Sequence, residues 1–429
     1  MQVRSIVLSL IALTFLNCGG SSSTTTELKT PDVIDETLVS NNYEWVVLYG
    51  SDAFDIAQAS AMSSQGYAYI GGITNGNIAL SNPDESFDLF ISKFEGNKLI
   101  KTLQTDTNFN GNSLKDIAID EEGSVYITGG VGHASGTSMY LKKFNSNLDE
   151  LWSKTYGSTY SAEGVGIAID SNNNIISTGN DNSTITLNKV DKDGTFIWMT
   201  QIGTIQDDLV TGIVVDSEDN IYLTGLSNGE FIYDEKTSPS GTYDVFLIKY
   251  DKWGSLLWIK QFGTESAETS KATAITIDKG DNIYVTGWTR GSLDGISALG
   301  NLDAFLIRFD TNGKRVWTKQ FASKEHEIAT DVEVDSDGFI YVSGKTEDTN
   351  SETIPLDNDA YVTQFSADGL LEWTQYFGVH ESQGVSGQEH DSKLMIYNKD
   401  IYLSGNTSGD FGFVNKGVDD VYFLKIKVK

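Results

Sequence analysis

An alternation of apolar and polar positions recurs along the chain from about residue 43 onward. Its best-preserved part occurs seven times, as YAYIGG, SVYITG, NIISTG, NIYLTG, NIYVTG, FIYVSG and DIYLSG. Each copy ends on a glycine: Gly72, Gly129, Gly179, Gly225, Gly287, Gly344 and Gly405. Alternation rich in β-branched and aromatic residues predicts half-buried strands. The glycines lie roughly 46 to 62 residues apart, which is room for about four short strands per unit.

Each unit has the same internal order. A first apolar alternation ends in an aspartate in five units: Asp120, Asp170, Asp216, Asp278 and Asp335. After the glycine come a connection of variable length, a third strand such as DVFLIKY, and a turn such as DTNG. The fourth strand carries a tryptophan: Trp152, Trp198, Trp258, Trp317 and Trp373. Unit one has LIKTLQT instead, and we expect Leu99 or Ile100 to replace the tryptophan there.

Units of four antiparallel strands can bury their faces by stacking radially as propeller blades. The seventh unit ends after its third strand, whereas EWVVLYG at 44–50 has the fourth-strand pattern with Trp45 in register. We therefore predict an all-β fold over residues 43–429: a seven-bladed β-propeller of four-stranded antiparallel blades, closed by an N-terminal strand that completes the last blade. Closure would remove both free sheet edges.

These residues resemble the SBBP repeat, which is named for seven-bladed β-propeller proteins of bacterial envelopes. The resemblance covers about residues 44–429 and is clearest in units four to six, with NIYLTG, NIYVTG, DAFLIRF and DTNG. It implies the fold and an extracytoplasmic setting, and it implies little about activity.

The first residues predict export and lipid attachment. Residues 5–16 read SIVLSLIALTFL after Arg4, which suits the apolar core of a signal peptide over 1–17. Cys18, the single cysteine, follows Phe15, Leu16 and Asn17, and this junction resembles the lipobox of bacterial lipoproteins. The alternative is an ordinary cleaved signal. Gly19 after the cysteine favours the outer membrane, facing the periplasm or the cell surface, with palmitate-type acylation of Cys18. Residues 18–42 have no aromatic residue and predict a flexible tether.

Charge excludes one class of partner. With 60 acidic against 30 basic residues the net charge is −30, which repels phosphate backbones, so nucleic acid is not expected as a partner. We expect a monomer without a cofactor.

The connection lengths indicate a candidate binding face. In an antiparallel blade, the connections between strands two and three and between successive blades share one face of the disc, and here these are the long and variable ones. The candidate residues on that face are His133, His326, His380, Trp288, Asp234, Glu235 and Asp348. The histidines lack the spacing of a metal site, and no calcium loop of the D-x-D-x-D-G type supports a cation. Turns such as DSNNN at 170 resemble calcium loops, but Asp and Asn capping of their own backbone explains them.

No catalytic motif is complete. SADGLLEW at 366–373 lacks one residue of a sialidase Asp box, DTNGKRVW at 310–317 is similar to a quinoprotein docking motif without a vicinal disulfide, and no G-x-S-x-G is present. Two hypotheses remain open: a non-catalytic binding or scaffolding module for a protein or glycan, and an envelope polysaccharide hydrolase or lyase that uses acidic residues over the channel. Paired carboxylates at the channel, with one desolvated, would favour the enzyme.

Overall fold

The computed structural model describes residues 32–33, 42–79, 86–105, 112–157, 161–233, 235–236, 242–264, 268–322, 326–347, 359–377, 389–408 and 418–428. Within these residues the chain forms seven sheets that each contain four antiparallel propeller strands. The strands follow sequence order in blades 1 to 6, and an N-terminal strand is the outermost strand of blade 7. The first strand of every blade contacts the first strand of the next, and that of the seventh contacts that of the first. The predicted seven-bladed β-propeller is therefore confirmed.

The first strands surround the central channel: Asp55–Met62, Asp116–Ile119, Ala162–Ile169, Asp208–Val215, Ser270–Ile277, His326–Val334 and Glu389–Tyr397. The second strands are Tyr67–Thr74, Val125–His133, Ile175–Asp181, Ile221–Ser227, Ile283–Thr289, Ile340–Glu347 and Asp400–Thr407. The third strands are Asp88–Glu95, Gly136–Phe144, Thr184–Val190, Asp244–Tyr250, Asp303–Phe309, Ala360–Phe365 and Asp420–Ile426. The fourth strands are Lys98–Thr105, Glu150–Tyr156, Phe196–Ile202, Leu256–Phe262, Arg315–Ala322, Leu371–Phe377 and, for blade 7, Tyr43–Tyr49.

The ring closes as predicted. Tyr43–Tyr49 pairs antiparallel with Asp420–Ile426, and Trp45 lies opposite Lys425. The Trp45 ring packs edge-on against Phe423, with ring centroids 5.1 Å apart. The Asn42 side chain adds a hydrogen bond to the Tyr376 carbonyl of blade 6 (3.1 Å), so the N-terminal strand is tied to two blades.

Two further short pairings lie outside the blades. Asp32–Val33 pairs in parallel with the fourth strand of blade 5, and Ile232–Tyr233 forms a small hairpin with Glu235–Lys236. Apart from Asp32, Val33 and Asn42, the predicted signal and tether, including Cys18, lie outside the described residues. Among the residues that the structure describes, no helix is long and apolar enough to cross a membrane.

The core lies between the blades. Third strands such as Asp244–Tyr250 are buried along their whole length because both of their faces contact neighbouring blades. The repeat glycine has a packing reason. A Cβ at Gly225 would overlap with the Leu209 carbonyl oxygen of the first strand, and the same backbone contact exists at five of the other six repeat glycines. A side chain there would push the first and second strands apart.

The repeated Asp, Tyr and Trp build a contact between successive blades. In blade 4 the Tyr222 hydroxyl donates to Asp216 (3.0 Å), and Lys249 of the third strand lies 3.4 Å from the same carboxylate. Lys249 also donates to the carbonyl of Thr311 in the turn of blade 5 (3.3 Å), and Trp258 packs 5.9 Å from the Tyr222 ring. Basic third-strand residues of blades 1, 2, 3 and 5 make the same bond to the next blade: Lys93, Lys143, Lys189 and Arg308.

Blade 1 differs from the expectation for the tryptophan position. Lys101 lies opposite Lys93 of the third strand. In the other blades the residue at the position of Lys101 is the tryptophan, so Lys101, and not Leu99 or Ile100, replaces it. All seven fourth strands share the β-bulge before this position, but the preceding turn is one residue shorter in blade 1 than in blades 2 to 6. Phe94 lies opposite Leu99, whereas Tyr250 of blade 4 lies opposite Leu256.

The calcium-like turns cap their own backbone, as predicted. Asp170 accepts the N–H groups of Asn172 (2.9 Å) and Asn174 (2.8 Å). Asp219 of the next blade accepts the backbone N–H and the hydroxyl of Ser171, both at 2.8 Å. Acidic residues of these turns therefore also bond to the turn of the neighbouring blade.

Candidate functional site

The two faces of the disc differ in their connections. Between the second and third strands, blades 1, 4, 5, 6 and 7 have long connections, whereas blades 2 and 3 turn within residues 134–135 and 182–183. The opposite face carries only short turns between first and second strands and between third and fourth strands. We call the two sides the long-connection face and the short-turn face. The described parts of the long connections reveal how they are held.

Buried glutamines of the fourth strands fix the bases of these connections. Gln261 donates to the Gly229 carbonyl (2.7 Å) and accepts from the Phe231 N–H (3.1 Å). Gln320 makes the matching bonds to Gly291 (3.2 Å) and Leu293 (3.1 Å) in blade 5. Gln104 fixes the base of the blade 1 connection in the same way, by donating to the Gly76 carbonyl 3.0 Å away. The sequence carried this signal in its recurrent LQT and KQF segments, which our sequence analysis did not use.

The blade 5 connection is also packed by its own side chains. Leu293, Ile296 and Leu302 are all buried within it. Asp303, at the start of the third strand, accepts the N–H groups of Leu299 and Gly300, each at 2.8 Å. This connection is therefore a built surface on a rigid base.

The predicted face residues lie in different blades. His133 ends the second strand of blade 2, and its ring nitrogens lie 3.0 Å from the hydroxyls of Ser135 and Ser138. These contacts occupy both nitrogens within one hairpin. His326 begins the first strand of blade 6, and Trp288 lies half-buried in the second strand of blade 5.

The remaining predicted face residues are located less fully. Glu235 lies in the short hairpin of the blade 4 connection. Asp234, His380 and Asp348 fall outside the described residues. The proposal that this set forms one binding face stays a prediction. In the described part of the chain, no group of three His, Cys, Asp or Glu side chains is arranged to hold a metal ion.

The central channel contains a charged cluster that the sequence analysis did not place there. One register position on the first strands lies opposite the residue before the repeat glycine, and in six of the seven blades its occupant lines the channel cavity. Its occupants, blade by blade, are Ala59, Asp116, Gly166, Gly212, Ala274, Asp331 and Lys393. Four blades thus keep this position small and three make it charged. A cavity of about 650 Å³ lies within the channel and extends to the short-turn face, where Asp335 and Lys399 line it.

Both ring aspartates bond to the following blade. Asp116 accepts the backbone N–H of Ile167 in blade 3 (2.8 Å), and Asp331 accepts that of Leu394 in blade 7 (2.9 Å). The two bonds are equivalent in register, so each aspartate joins neighbouring first strands. Glu333 lies two residues beyond Asp331 on the same strand and lines the same cavity.

The channel shifts the pKa values of these carboxyls upward. Burial raises the pKa of Asp116 to about 6, although the Ile167 N–H and the Lys393 ammonium oppose the shift. Burial, followed by the negative charge of Asp331, raises the pKa of Glu333 to about 8. Burial also raises the pKa of Asp331. Glu333 is therefore largely protonated near neutral pH and can donate a proton.

Comparison with known proteins agrees with this architecture. The family model of the SBBP β-propeller repeat matches residues 197–232 and 257–294. The regulatory protein FlaEY of Caulobacter vibrioides is 27% identical over 162 residues, which is 34% of this chain and 17% of that protein. This chain therefore spans less than a fifth of that curated relative.

Two solved structures share the fold over most of both chains. Sqt1 of Chaetomium thermophilum, bound to the N-terminus of a ribosomal protein, has a TM-score of 0.51 at 9% identity, covering 90% of this chain and 100% of its own. Virginiamycin B lyase of Staphylococcus aureus has a TM-score of 0.50 at 11% identity, covering 89% and 99%. At these identities the likeness concerns the fold alone.

The blade count, the closed ring and the inward first strands define a seven-bladed β-propeller. Within that class, two stretches of the chain, residues 197–232 and 257–294, match the SBBP β-propeller repeat.

Proposed function

We propose that this protein is a non-catalytic binding and scaffolding module, attached to the bacterial outer membrane through Cys18, that holds a protein or glycan partner on its long-connection face. The observation that carries the proposal is that Gln104, Gln261 and Gln320 fix the bases of three long connections. A surface that is ordered before binding loses little conformational entropy on binding. Rigid scaffolds with variable connections commonly carry binding sites.

An exchange of connections tests which face binds. Replacing residues 228–243 of blade 4 with residues 182–183 of blade 3 exchanges a long connection between the second and third strands for a two-residue turn. We expect the full-length variant to lose partners that the unaltered protein captures from envelope extract after cross-linking. Asn312→Ala, on the short-turn face, serves as the matched control and keeps them. Equal recovery by the exchanged and unaltered proteins, with both folded by circular dichroism, contradicts this choice of face.

The lipid anchor has its own test. Cys18→Ala removes the only thiol that could be acylated, so we expect the protein to move from the membrane fraction to the soluble fraction, because stable attachment needs acyl chains. Cys18→Ser is the conservative companion and behaves alike. Membrane fractionation of both variants that equals that of the unaltered protein would overturn the anchor.

A second candidate function rests on the channel. Glu333, with a pKa raised to about 8, lies near Asp331 and Asp116 and could act as the proton donor of a polysaccharide hydrolase or lyase. These carboxylates line the channel itself. Depolymerisation of an envelope polysaccharide by the unaltered protein, lost in Glu333→Gln, supports this candidate, whereas activity that survives the change removes Glu333 from it.

A further inference from the structure

A groove lies between blades 3 and 4 on the short-turn face, opposite the face proposed above. Its volume is about 260 Å³. Its walls include Asn172 of the first turn of blade 3, Ile197 and Trp198 of the fourth strand, and Lys252 and Trp253 in the turn of blade 4. All of these residues belong to short, well-bonded turns and strands. Two departures from the seven-fold repeat meet here.

The first departure removes an aromatic ring from the inner wall. Six blades hold a tyrosine on the second strand at this register: Tyr69, Tyr126, Tyr222, Tyr284, Tyr341 and Tyr402. Blade 3 has Ile176 there, opposite Lys189, which in turn lies opposite Trp198. Five of the other blades place the tyrosine ring about 6 Å from their tryptophan, as in Tyr222 and Trp258 at 5.9 Å. Ile176 is buried in the core, so no tyrosine ring lies beside Trp198, and Asp170, Lys189 and Trp198 line the groove there.

The second departure adds an aromatic ring at the outer rim. Trp253 occupies a turn position at which other blades have small polar residues: Asn147, Asp193, Asn312 and Asp368. Its side chain is 71% exposed. Gly254, the next residue, packs against the Trp198 ring, so the turn that carries Trp253 is seated on the other indole. The groove therefore has an indole on each side.

The charges around the groove are balanced in number, and each has a contact within the protein. Asp170 lies 2.7 Å from Lys189, and that ammonium also donates to the Lys252 carbonyl (3.2 Å). Asp219 is held by Ser171, and the Lys252 ammonium lies 5.2 Å from the Trp253 ring centroid. Two carboxylates and two ammonium groups thus cancel. A charged ligand would have to compete with the ion pair of Asp170 and Lys189 and with the hydrogen bonds from Ser171 to Asp219.

We propose that this groove binds a neutral sugar ring. A pyranose has an apolar C–H face that packs on an indole, and hydroxyl groups at its rim that can bond to the Asn172 amide and to the turn backbone. The volume is smaller than the roughly 300 to 1,000 Å³ of sites for drug-sized ligands, so one ring, at the end or within a glycan chain, is the matching size. This site is separate from the long-connection face and does not depend on it.

The other blades indicate which substitutions the fold accepts at these two positions. Trp253→Asn restores the residue type of the other turns, and Ile176→Tyr restores the repeat tyrosine and fills the groove. Asn312→Ala changes the same turn position in blade 5, where Gly313 packs on Trp258 of blade 4 and Tyr222 lies beside that tryptophan, and serves as the control. The full-length proteins are titrated with glucose, galactose, mannose, N-acetylglucosamine and their β- and α-linked disaccharides. Binding is read from tryptophan fluorescence and saturation-transfer NMR.

We expect saturable, millimolar binding of at least one neutral saccharide, weakened about tenfold by Trp253→Asn and by Ile176→Tyr and unchanged by Asn312→Ala. The variant with the exchanged blade 4 connection, residues 228–243, keeps the saccharide, which separates this site from the proposed partner face. The proposal is overturned if no neutral saccharide saturates the protein, if both restoring variants bind as well as the unaltered chain, or if glucuronate or glucosamine binds more tightly than its neutral counterpart.

Discussion

At the scale of single residues, one polar pair stands out in an otherwise apolar interface. Ser177 is 0% exposed and Asn188 is 1% exposed, and the two lie opposite each other on the second and third strands of blade 3. The Ser177 hydroxyl and both amide atoms of Asn188 have no hydrogen-bond partner among the described residues. The same register positions hold Leu223 and Ile248 in blade 4. An unpaired buried polar group costs roughly 1–3 kcal/mol of stability.

Replacing the pair should therefore stabilise the protein. We expect the double variant Ser177→Ala, Asn188→Leu to raise the free energy of unfolding by about 1–3 kcal/mol, because near-isosteric apolar groups remove the desolvation cost. Denaturant unfolding monitored by fluorescence measures the change. Ser343→Ala is the contrasting variant, since the Ser343 hydroxyl donates to the Ser392 carbonyl at 3.2 Å and its loss should destabilise. A double variant less stable than the unaltered chain contradicts the interpretation.

Glu333 should make stability depend on pH. Its folded-state pKa is raised from 4.5 to about 8, so the native state holds a proton that the unfolded chain releases above its ordinary pKa. The contribution of protonated Glu333 to the free energy of unfolding is fully present below about pH 4.5 and is lost as the pH rises towards 8. One pKa unit corresponds to about 1.4 kcal/mol, and screening by solvent in the channel reduces the total, so we expect a fall of about 1–3 kcal/mol.

The measurement compares unfolding free energies of the unaltered protein and Glu333→Gln from pH 4.5 to 8.5. The difference between the two should change over this range and then level off. Glu372→Gln, on the exposed outer strand of blade 6, should follow the unaltered protein. Parallel curves for the unaltered protein and Glu333→Gln would show that the channel does not perturb this carboxyl.

At the scale of strands and turns, the repeat made much of the structure predictable. Alternation located the blade strands, and the D-x-x-G turns fall between third and fourth strands because Asp caps the turn and Gly takes positive φ, as at Gly254 with φ of 84°. Lys101 was missed because the turn before it is one residue shorter than the corresponding turn in blades 2 to 6. The charged ring of Asp116, Asp331 and Lys393 was missed because its members belong to first strands far apart in sequence, and only closure brings them around one axis.

The groove between blades 3 and 4 was missed for a related reason. Ile176 is an ordinary strand residue and Trp253 is an ordinary turn substitution when each is considered alone. Trp253 reaches the groove because blade 3 presents its fourth strand to the turn of blade 4, and Ile176 lies buried where the other blades have a tyrosine beside the tryptophan. Sites formed by neighbouring repeats become visible once the departures of each repeat are compared position by position.

At the scale of the whole molecule, stability depends on the N-terminal strand. Trp45 packs against Tyr402 and Phe423, and neighbouring Glu44 lies 3.0 Å from Lys425. We expect Trp45→Ala to lower the free energy of unfolding by about 3 kcal/mol, as for loss of a large packed aromatic. Leu99→Ala, at an exposed outer position of blade 1, changes it little. Equal effects of the two substitutions, measured by chemical denaturation, would show that the seventh blade does not need this strand.

Blade 7 also sets the order of events during folding. Its outer strand is synthesised before the other blades, and the Asp420–Ile426 strand that receives it is synthesised after them. Six blades can pair from local hairpins while the seventh waits for strands that are far apart in sequence, and such long-range pairing is slow. Until Tyr43–Tyr49 pairs with Asp420–Ile426, the open row of blades exposes one unpaired strand at each end. Self-association is therefore most probable between synthesis and ring closure, and a chaperone would be most useful in that interval.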